Sequence, residues 1–283
     1  MYKVKYISDS GNEFLFGADN GIVFDMDIGE SVDVNIGVSQ GFSQIGESVD
    51  TKSIGSRPIN ASGIVFKNVE QGKRKMRNTF PPFESGRLVF DDGHYYIAVH
   101  IKKPPSFSPV KGDGRFMMQF LAPFPYFSRV EKSSVPIGEI EPAFSFPVNY
   151  AEPHKFGVKS SARYKSVVND GDVPVPFEAQ FTSTVESVNP IIRDLKNGGF
   201  LRLNMTVKQR EVVTVYRDSN GVLRAEKNVG GETVDVLGAV DENSTLFELN
   251  RGENIISYSD DAGGDNLSVV IAYSPAVVAI YEY

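Results

Sequence analysis

The sequence predicts a mainly β protein, in which an N-terminal β-sandwich-like domain with one α-helix is followed by a second β-sandwich. Apolar and polar residues alternate with a period of two in most segments, which is the pattern of strands with one buried face. A single segment of the first half has helical periodicity instead. A stretch rich in Pro, Phe and Ser separates the two halves and indicates a boundary between two domains.

The first half contains six predicted strands. They cover residues 21–28, 32–36, 64–66, 87–90, 94–101 and 115–121, and residues 1–6 already lead into a strand pattern. Asp91-Asp92-Gly93 separates the fourth strand from the fifth, and an Asp-Gly pair tolerates the positive φ angles of a tight turn. We therefore predict a β-hairpin over 87–101.

One helix is predicted, over residues 69–80. Val69, Met76 and Phe80 fall at i, i+7 and i+11 and form one apolar stripe, and Pro81-Pro82 ends the helix. The remaining faces carry four cations, Lys73, Arg74, Lys75 and Arg77. Because such runs are usually solvated, we interpret this one as a solvated helix face. If it contacts a partner, the acidic chain favours a protein over DNA.

The boundary between the domains is predicted from composition. Residues 122–147 are rich in proline and phenylalanine, beginning with Pro123-Phe124-Pro125. Proline cannot donate the hydrogen bond that a central strand requires, so this stretch is predicted to be a linker or a crossover at a sheet edge. We place the boundary near Glu131, which gives domains of 1–131 and 132–283.

The second half contains about eight predicted short strands, a spacing typical of a sandwich or jelly roll. They cover residues 177–181, 200–205, 211–216, 222–227, 246–249, 254–259, 267–273 and 276–281. Ser219-Asn220-Gly221 predicts a hairpin turn between the third and the fourth of them.

Two motifs frame these strands. Val168–Phe177 contains Asn169-Asp170-Gly171-Asp172 and two prolines, which predict a turn that cannot continue a helix. Leu249–Ile256 contains Arg251-Gly252, a tight glycine turn that starts another strand. Neither motif carries residues for catalysis.

Composition excludes several classes of function. The chain has no cysteine, which rules out thiol catalysis, iron–sulfur clusters and cysteine-based zinc sites. The formal charge of −7, from 29 basic and 36 acidic residues, disfavours specific nucleic-acid binding. No apolar run approaches the roughly 20 residues that span a bilayer, and residues 1–6 do not begin a signal peptide. We expect a soluble protein that is made in the cytoplasm and does not enter a membrane.

The three histidines form no predicted metal site. His94 and His100 share the solvent face of the strand 94–101, where roughly 3.3 Å per residue separates them by about 20 Å. One ion cannot bind both at that distance. His154 stands alone among proline and lysine.

Two acidic clusters resemble calcium-binding loops in composition alone. Residues 260–266 lack the glycine at the sixth position and the carboxylate at the twelfth, and residues 25–30 fail in the same way. We interpret 260–266 as a hairpin tip, and Asp25 and Asp27 as strand residues on the solvent side.

No catalytic motif is present. A Gly-x-Ser-x-Gly elbow is missing, and Gly112-Asp113-Gly114 lacks the lysine and the helix that follow a phosphate loop. Acidic residues are numerous enough that a glycosidase stays possible. Sugar binding is a stronger alternative, although the chain has no tryptophan and tyrosine would have to provide the stacking surface. We assign no catalytic, cofactor-binding or metal-binding residue and expect no cofactor.

Several short motifs follow one another in a defined order and spacing. In the first half these motifs are Arg57-Pro58-Ile59, Thr79-Phe80-Pro81-Pro82 and Met118–Phe127. In the second half they are Asn169-x-Gly171-Asp172 with Pro176, Asn189-Pro190-Ile191-Ile192, Leu249-x-x-Gly252-x-Asn254-x-Ile256 and Val269–Tyr273. Their order and spacing resemble the distal tail (Dit) proteins of siphophages, which are hub proteins of the tail tip. The family usually has Asn-Pro at the position of Pro81-Pro82.

The resemblance implies a galectin-like second domain and a compact member without an inserted carbohydrate-binding module. It also implies a non-enzymatic hub of the virion tail tip, assembled in the cytoplasm of the bacterial host. Such hubs form hexameric rings through the N-terminal domain. They join the tail tube protein to the tail-associated fibre or lysin protein and, in many phages, to receptor-binding proteins. A carbohydrate-binding adhesin module of the tail is the alternative, and a cell-wall glycan hydrolase is a more remote one.

Overall fold

The chain forms two compact units. The computed structural model describes residues 3–29, 31–90, 93–137, 140–141, 158–159, 163–218, 221–262 and 265–280. The first unit comprises Met1–Glu131 together with Ala276–Tyr283, and the second comprises Lys132–Pro275. The described residues are mainly antiparallel strands with one α-helix, so the predicted fold class is confirmed. The helices within these residues are too short or too polar to traverse a lipid bilayer.

The first unit is built on a large antiparallel sheet and one helix. Its elements are β1 (Val4–Ser8), β2 (Glu13–Phe16), a 3₁₀ turn (Ala18–Asn20), β3 (Ile22–Asp27), β4 (Val34–Ser39), β5 (Ser48–Ile54), β6 (Arg57–Val65), α1 (Val69–Thr79), β7 (Ser85–Phe90), β8 (Tyr95–Phe107), β9 (Arg115–Ala122) and β10 (Phe127–Arg129). The strand order is β2-β1-β7-β8-β9-β6-β3, and β10 pairs with β8. Strands β4 and β5 form a separate two-stranded sheet.

The helix and the hairpin predicted in this half are confirmed. Helix α1 begins at Val69 and ends at Thr79, one residue short of the predicted range, and Phe80 is its C-terminal cap. Strands β7 and β8 pair from Ser85 and His100 to Phe90 and Tyr95. The predicted turn residues 91–92 lie outside the described residues.

A cluster of aromatic rings fills the core of the first unit. Phe80 is fully buried because the prolines that follow it end the helix there and direct the chain back to the surface. Its ring lies 4.9 Å from Tyr6, 5.0 Å from Phe14, 5.7 Å from Phe16 and 5.9 Å from Phe120, measured between centroids. Helix α1 and three strands are therefore packed around one side chain.

The second unit is a β-sandwich. Its elements are β11 (Ser133–Ile137), β12 (Ile140–Glu141), β13 (Val158–Lys159), β14 (Tyr164–Asn169), β15 (Phe177–Ser183), β16 (Glu186–Val188), β17 (Ile191–Asp194), β18 (Phe200–Arg202), β19 (Thr206–Lys208), β20 (Glu211–Arg217), β21 (Leu223–Val229), β22 (Glu232–Asp235), a 3₁₀ turn (Leu237–Ala239), β23 (Gly252–Ser259) and β24 (Leu267–Tyr273).

Two sheets make the sandwich. One has the order β11-β24-β15-β20-β21-β22 and the other the order β14-β23-β17-β18, while β12–β13 and β16–β19 are small two-stranded pairs. Burial alternates along β23 and β24, as expected when each sheet turns one face inwards. The Tyr273 hydroxyl of the first sheet donates to the Val168 carbonyl of the second at 2.7 Å. This bond spans the two layers.

Several strand predictions for the second half were right and three were wrong. The hairpin β20–β21 is confirmed, with Arg217 paired to Leu223, although its turn residues 219–220 lie outside the described residues. Residues 246–249 form no strand, and Leu249 makes only an isolated bridge. Predicted strand 200–205 stops at Arg202 because the chain turns before β19.

The last predicted strand, 276–281, belongs to the other unit. Strand β25 covers Ala276–Val277 and pairs with Ser128 and Phe127 of β10 in the sheet of the first unit. The sequence assigned it to the second sandwich because an apolar run at the end of the chain does not identify its pairing partner. In the linker region, β11 is an edge strand that contains Pro136, as the proline content predicts, while 142–157 lies outside the described residues.

The two framing motifs of the second half lie side by side. Strand β14 pairs with β23 so that Asn169 faces Gly252 and Val167 faces Asn254. Leu249 and Val175 exchange two backbone hydrogen bonds of 2.9 and 3.1 Å. The turn after β14 and the turn before β23 therefore form one structure, although 80 residues separate Asn169 from Leu249.

Two buried asparagine side chains hold these turns. The Asn169 amide donates to the carbonyls of Val173 at 2.8 Å and Leu249 at 3.0 Å, and its oxygen accepts from the Gly171 amide. Asn254 accepts from the backbone amide of Asn250 at 2.9 Å and donates back to its carbonyl at 2.8 Å. Asn254 also donates to the buried carbonyl of Val167 at 3.3 Å, so each asparagine satisfies a buried backbone group.

We predict that Asn169→Ala lowers the unfolding free energy of the second unit by about 2–4 kcal/mol, because buried carbonyls lose their donors. Urea unfolding followed by circular dichroism measures the change. Asn228→Ala is the control, because its exposed amide donates to the Thr233 hydroxyl at 3.2 Å, and it should change stability by less than about 0.5 kcal/mol. Equal effects of the two variants would contradict the role of Asn169.

Candidate assembly surface

The β4–β5 hairpin has one apolar face. We define the assembly hairpin as Val34–Ile54, the two strands and the turn that joins them. Directly paired residues of antiparallel strands point to the same face. The pairs Val34–Ile54 and Val38–Val49 therefore share a face with Ile36, which stands opposite Lys52. Five branched apolar side chains and Lys52 therefore lie on one side of a two-stranded sheet.

This apolar face is uncovered. Its five branched side chains are 46–58% exposed, and Phe42 and Ile45 in the turn are fully exposed. An isolated two-stranded hairpin is only marginally stable in water, and a contiguous exposed apolar patch marks a surface for association. No described part of the chain covers the face, which makes the hairpin the strongest candidate for a contact with another protein.

The opposite face of the assembly hairpin is polar. It carries Asn35 opposite Ser53 and Gly37 opposite Thr51. A Cβ atom at Gly37 would collide with the Thr51 hydroxyl, so a larger residue there requires the Thr51 side chain to rotate. The register shifts after Gly37 so that Val38 pairs with Val49 and Asp50 is skipped. This bulge keeps the apolar face continuous.

Arg57 clamps the root of the assembly hairpin. The chain leaves the main sheet after β3 and returns at Arg57, the first residue of β6. One terminal nitrogen of the guanidinium donates to the carbonyls of Ile28 and Gly29, both at 2.8 Å. The other donates to the carbonyl of Val278, in the returning C-terminal segment, at 2.7 Å. The segment after β3, the start of β6 and the C-terminal segment therefore meet at the side chain of Arg57.

The environment of Arg57 is largely dry. Only 4% of the residue is exposed, and the guanidinium carbon lies 4.8 Å from the centroid of the Phe127 ring. Burial lowers the pKa of the guanidinium, yet an arginine stays charged at neutral pH. Carbonyl dipoles and an aromatic face replace the lost water.

The solvated helix face that the sequence predicts is confirmed for three of its four cations and is wrong for Lys73. Lys73 is buried, its ammonium group lies 3.3 Å from Glu70 and it sits 5.9 Å from the centroid of the Phe107 ring. Arg77 also lies over Phe107, at 4.9 Å. The prediction failed for Lys73 because helical periodicity does not reveal that the aliphatic stem of a lysine covers apolar surface. Arg74, Lys75 and Arg77 are exposed, as predicted.

The histidines are not brought together. His94 is exposed in the turn before β8, and His100 lies within that strand, half-buried. His154 lies outside the described residues. Within the described residues, no three His, Asp or Glu side chains are close enough to hold a metal ion.

In one acidic cluster a carboxylate accepts hydrogen bonds from neighbouring groups, and in the other the carboxylates lie exposed on a strand. Asp260 is buried and accepts hydrogen bonds from the Ser187 hydroxyl at 2.7 Å and the Ala262 amide at 2.9 Å. It follows β23, whereas β24 belongs to the other sheet, so the interpretation of 260–266 as a hairpin tip is wrong. Positions 263–264 lie outside the described residues. Asp25 and Asp27 are exposed on β3, as predicted.

Hydrogen bonds lower the pKa values of several carboxyl groups. Hydrogen bonds from Arg115 hold the pKa of Asp113 well below its usual range. A hydrogen bond from Lys196 likewise lowers the pKa of Glu253. The pKa values of Asp19 and Asp241 are lowered as well.

One exposed aromatic residue of the second unit bears on sugar binding. Tyr164 lies on the outer face of the four-stranded sheet, where the cross-strand row continues through Ser257 and Arg193 to Phe200. Tyr164 is the one exposed aromatic side chain in the described part of this unit. A hydroxyl, a guanidinium and an aromatic ring are groups that recognise a sugar.

The fold is that of the phage tail and baseplate hub proteins. The chain is similar to the Dit protein of phage SPP1, described as a paradigm of the hub adsorption apparatus of phages that infect Gram-positive bacteria. The TM-score is 0.63 at 10% identity, over 96% of this chain and 98% of that one.

Two structures of the phage P2 baseplate in its activated conformation are also similar. For the calcium form the TM-score is 0.51 at 11% identity, over 96% of this chain and 97% of the other. For the strontium form it is 0.51 at 12% identity, over 96% and 98%. The sequence itself matches no protein-family model and no curated protein. The resemblance to Dit proteins is therefore confirmed in the fold.

The sequence does not predict that the apolar face of the assembly hairpin is uncovered. The alternation in 32–36 indicates a strand but does not tell whether its apolar face meets a core or solvent. The Arg57-Pro58-Ile59 motif does not indicate a role for the arginine. A long stretch of Gly, Ser and Gln between 37 and 48 was the available signal that these strands extend away from the main sheet.

We predict that Arg57→Lys loosens the root of the assembly hairpin, because one ammonium group cannot serve three carbonyls in the geometry of a guanidinium. Hydrogen exchange should accelerate in β4, β5 and residues 276–280, and the unfolding free energy of the first unit should fall by about 2–4 kcal/mol. The exposed Arg87, changed to Lys, is the control and should leave both unchanged. Unaltered exchange in the hairpin of Arg57→Lys would disprove the clamp.

Proposed function

We propose that the protein is the structural hub of a bacteriophage or prophage tail tip and assembles as a hexameric ring. The observation that carries the proposal is the uncovered apolar face of the assembly hairpin in a chain with the fold of phage hub proteins. Such a face is unfavourable in a monomer and is buried when copies associate.

The position of this surface supports a ring. The assembly hairpin extends from one side of the first unit, so a second copy would meet it with a different surface. A contact between two different surfaces repeats from copy to copy and closes when the rotation allows it. We therefore assign ring formation to the first unit, residues 1–131 with the returning 276–283 segment.

The second unit is proposed to face outwards as a galectin-like domain. In this arrangement the ring joins the tail tube protein to the tail-associated fibre or lysin protein, and the outer domains hold receptor-binding proteins. The site of action is the tail tip of the virion, after assembly in the cytoplasm of the host. The role is structural rather than catalytic, which the fold shared with phage hub proteins supports.

Carbohydrate binding by a tail adhesin is the alternative. The row formed by Tyr164, Ser257 and Arg193 on the outer sheet face is the observation in its favour. Titration with cell-wall glycans distinguishes the two functions, since saturable binding that Tyr164→Ala abolishes supports the adhesin.

We predict that the purified chain forms a hexamer in light scattering and that Ile36→Glu weakens its assembly by about 100-fold or more. The glutamate would place a charge in a buried apolar interface, at a cost of several kcal/mol. The melting temperature of the monomer should not change, because Ile36 is exposed in the single chain.

Asn35→Glu is the matched control. It places the same charge on the polar face of the same strand, and assembly should be retained. A chain that stays monomeric at all concentrations, or equal effects of the two glutamates, would contradict assembly through the apolar face.

A further inference from the structure

Residues 276–280 complete the first unit after the chain has passed through the second. We call this segment the strap. The second unit comprises Lys132–Pro275, so the strap belongs to the first unit although it follows the whole second unit in the chain. Its strand β25 pairs with β10, where Ala276 stands opposite Ser128 and Val277 opposite Phe127. The first unit is therefore closed by residues that are synthesised after the second unit.

The strap is packed into the first unit but is held by a short strand. Ala276 is fully buried, and Val277 and Ile280 pack against the hydrophobic core of this unit. However, β25 has only two residues and pairs with β10 alone among the described strands. A short segment at the edge of a sheet opens at a lower free energy than the whole unit. We therefore expect the strap to open before the rest of the first unit unfolds.

The strap reaches the root of the assembly hairpin through Arg57. One terminal nitrogen of the guanidinium donates to the Val278 carbonyl at 2.7 Å, while the other holds the two carbonyls that follow β3. If the strap opens, a buried charged donor loses its acceptor, which is unfavourable unless the guanidinium moves towards water. That movement breaks or strains its bonds to the segment that leads into the hairpin.

One amide reports the state of this root. The Gly55 amide donates to the Asp33 carbonyl at 2.9 Å and closes the base of the assembly hairpin, two residues before Arg57. Its hydrogen exchange therefore measures how often the base of the hairpin opens.

We propose that the strap is a latch for the assembly hairpin. When the strap is docked, Arg57 fixes the root of the hairpin, and when the strap opens, the root is released. Because the strap follows residues 132–275, the hairpin acquires its fixed root only after the second unit has been synthesised. The latch is a property of the single chain and does not depend on the proposed ring.

A reversible disulfide tests the latch, because the chain has no cysteine of its own. Ser128 and Ala276 are directly paired, and paired antiparallel residues have Cα atoms about 4.5–5.5 Å apart, which suits a disulfide. Oxidation of Ser128→Cys/Ala276→Cys locks the strap, and reduction releases it. Oxidation should slow exchange of the Gly55 amide by at least about tenfold and leave the amides of α1 unchanged.

A second variant opens the strap without a disulfide. Ile280→Asp places a carboxylate where an isoleucine packs against the core, so it should accelerate exchange of the Gly55 amide by about tenfold or more. Unchanged exchange in α1 shows that the unit stays folded. All variants carry Ile36→Glu, so that neighbouring copies do not cover the hairpin during the measurement.

Matched controls change β1 and β2 of the same unit. Lys5→Cys/Leu15→Cys joins two directly paired residues, and Leu15→Asp places the same carboxylate at another partly buried position. Both should leave exchange of the Gly55 amide unchanged. The latch is refuted if Gly55 responds to neither strap variant, or if it responds equally to the controls. Light scattering without Ile36→Glu reports the ring separately, so a chain that forms no ring contradicts the proposed function and not the latch.

Discussion

The guanidinium of Arg57 is the interaction on which the arrangement of the first unit depends. It bonds to the end of β3 and to the segment after β25, and it stacks on Phe127 of β10. These parts of the chain are distant in sequence, and the apolar core alone does not fix their meeting point. Burying a cation is costly, and the three hydrogen bonds of the terminal nitrogens offset that cost, whereas the buried Nε has no hydrogen-bond partner among the described residues. The position of the guanidinium therefore fixes where the assembly hairpin leaves the sheet.

The assembly hairpin differs from the other sheets because its apolar side chains are not covered by another described part of the chain. The main sheet of the first unit packs against α1 through Phe80, and the two sheets of the second unit cover each other. A two-stranded sheet is too small to fold over itself. The side chains of Val34 and Ile36 on its apolar face are therefore exposed in the single chain.

Local structure could be predicted from the sequence, whereas pairing and exposure could not. Helix α1 and the hairpins β7–β8 and β20–β21 follow from short-range periodicity and turn residues. Lys73 is predicted to face solvent because the sequence shows its charge but not its tertiary contact with the Phe107 ring. In the same way, the alternation around Val34 is that of any half-buried strand. Exposure depends on contacts between distant segments, to which a single sequence gives no direct access.

The second-half motifs that carry the resemblance to Dit proteins have a structural role. Asn169 and Asn254 use their amide groups to satisfy buried backbone groups, and Gly252 adopts the positive φ that this turn requires. Side chains that are buried and fully hydrogen-bonded are not available to a partner. These motifs hold the sandwich of the second unit together. The uncovered apolar face lies instead on the assembly hairpin, in a segment that contributes nothing to the sequence resemblance.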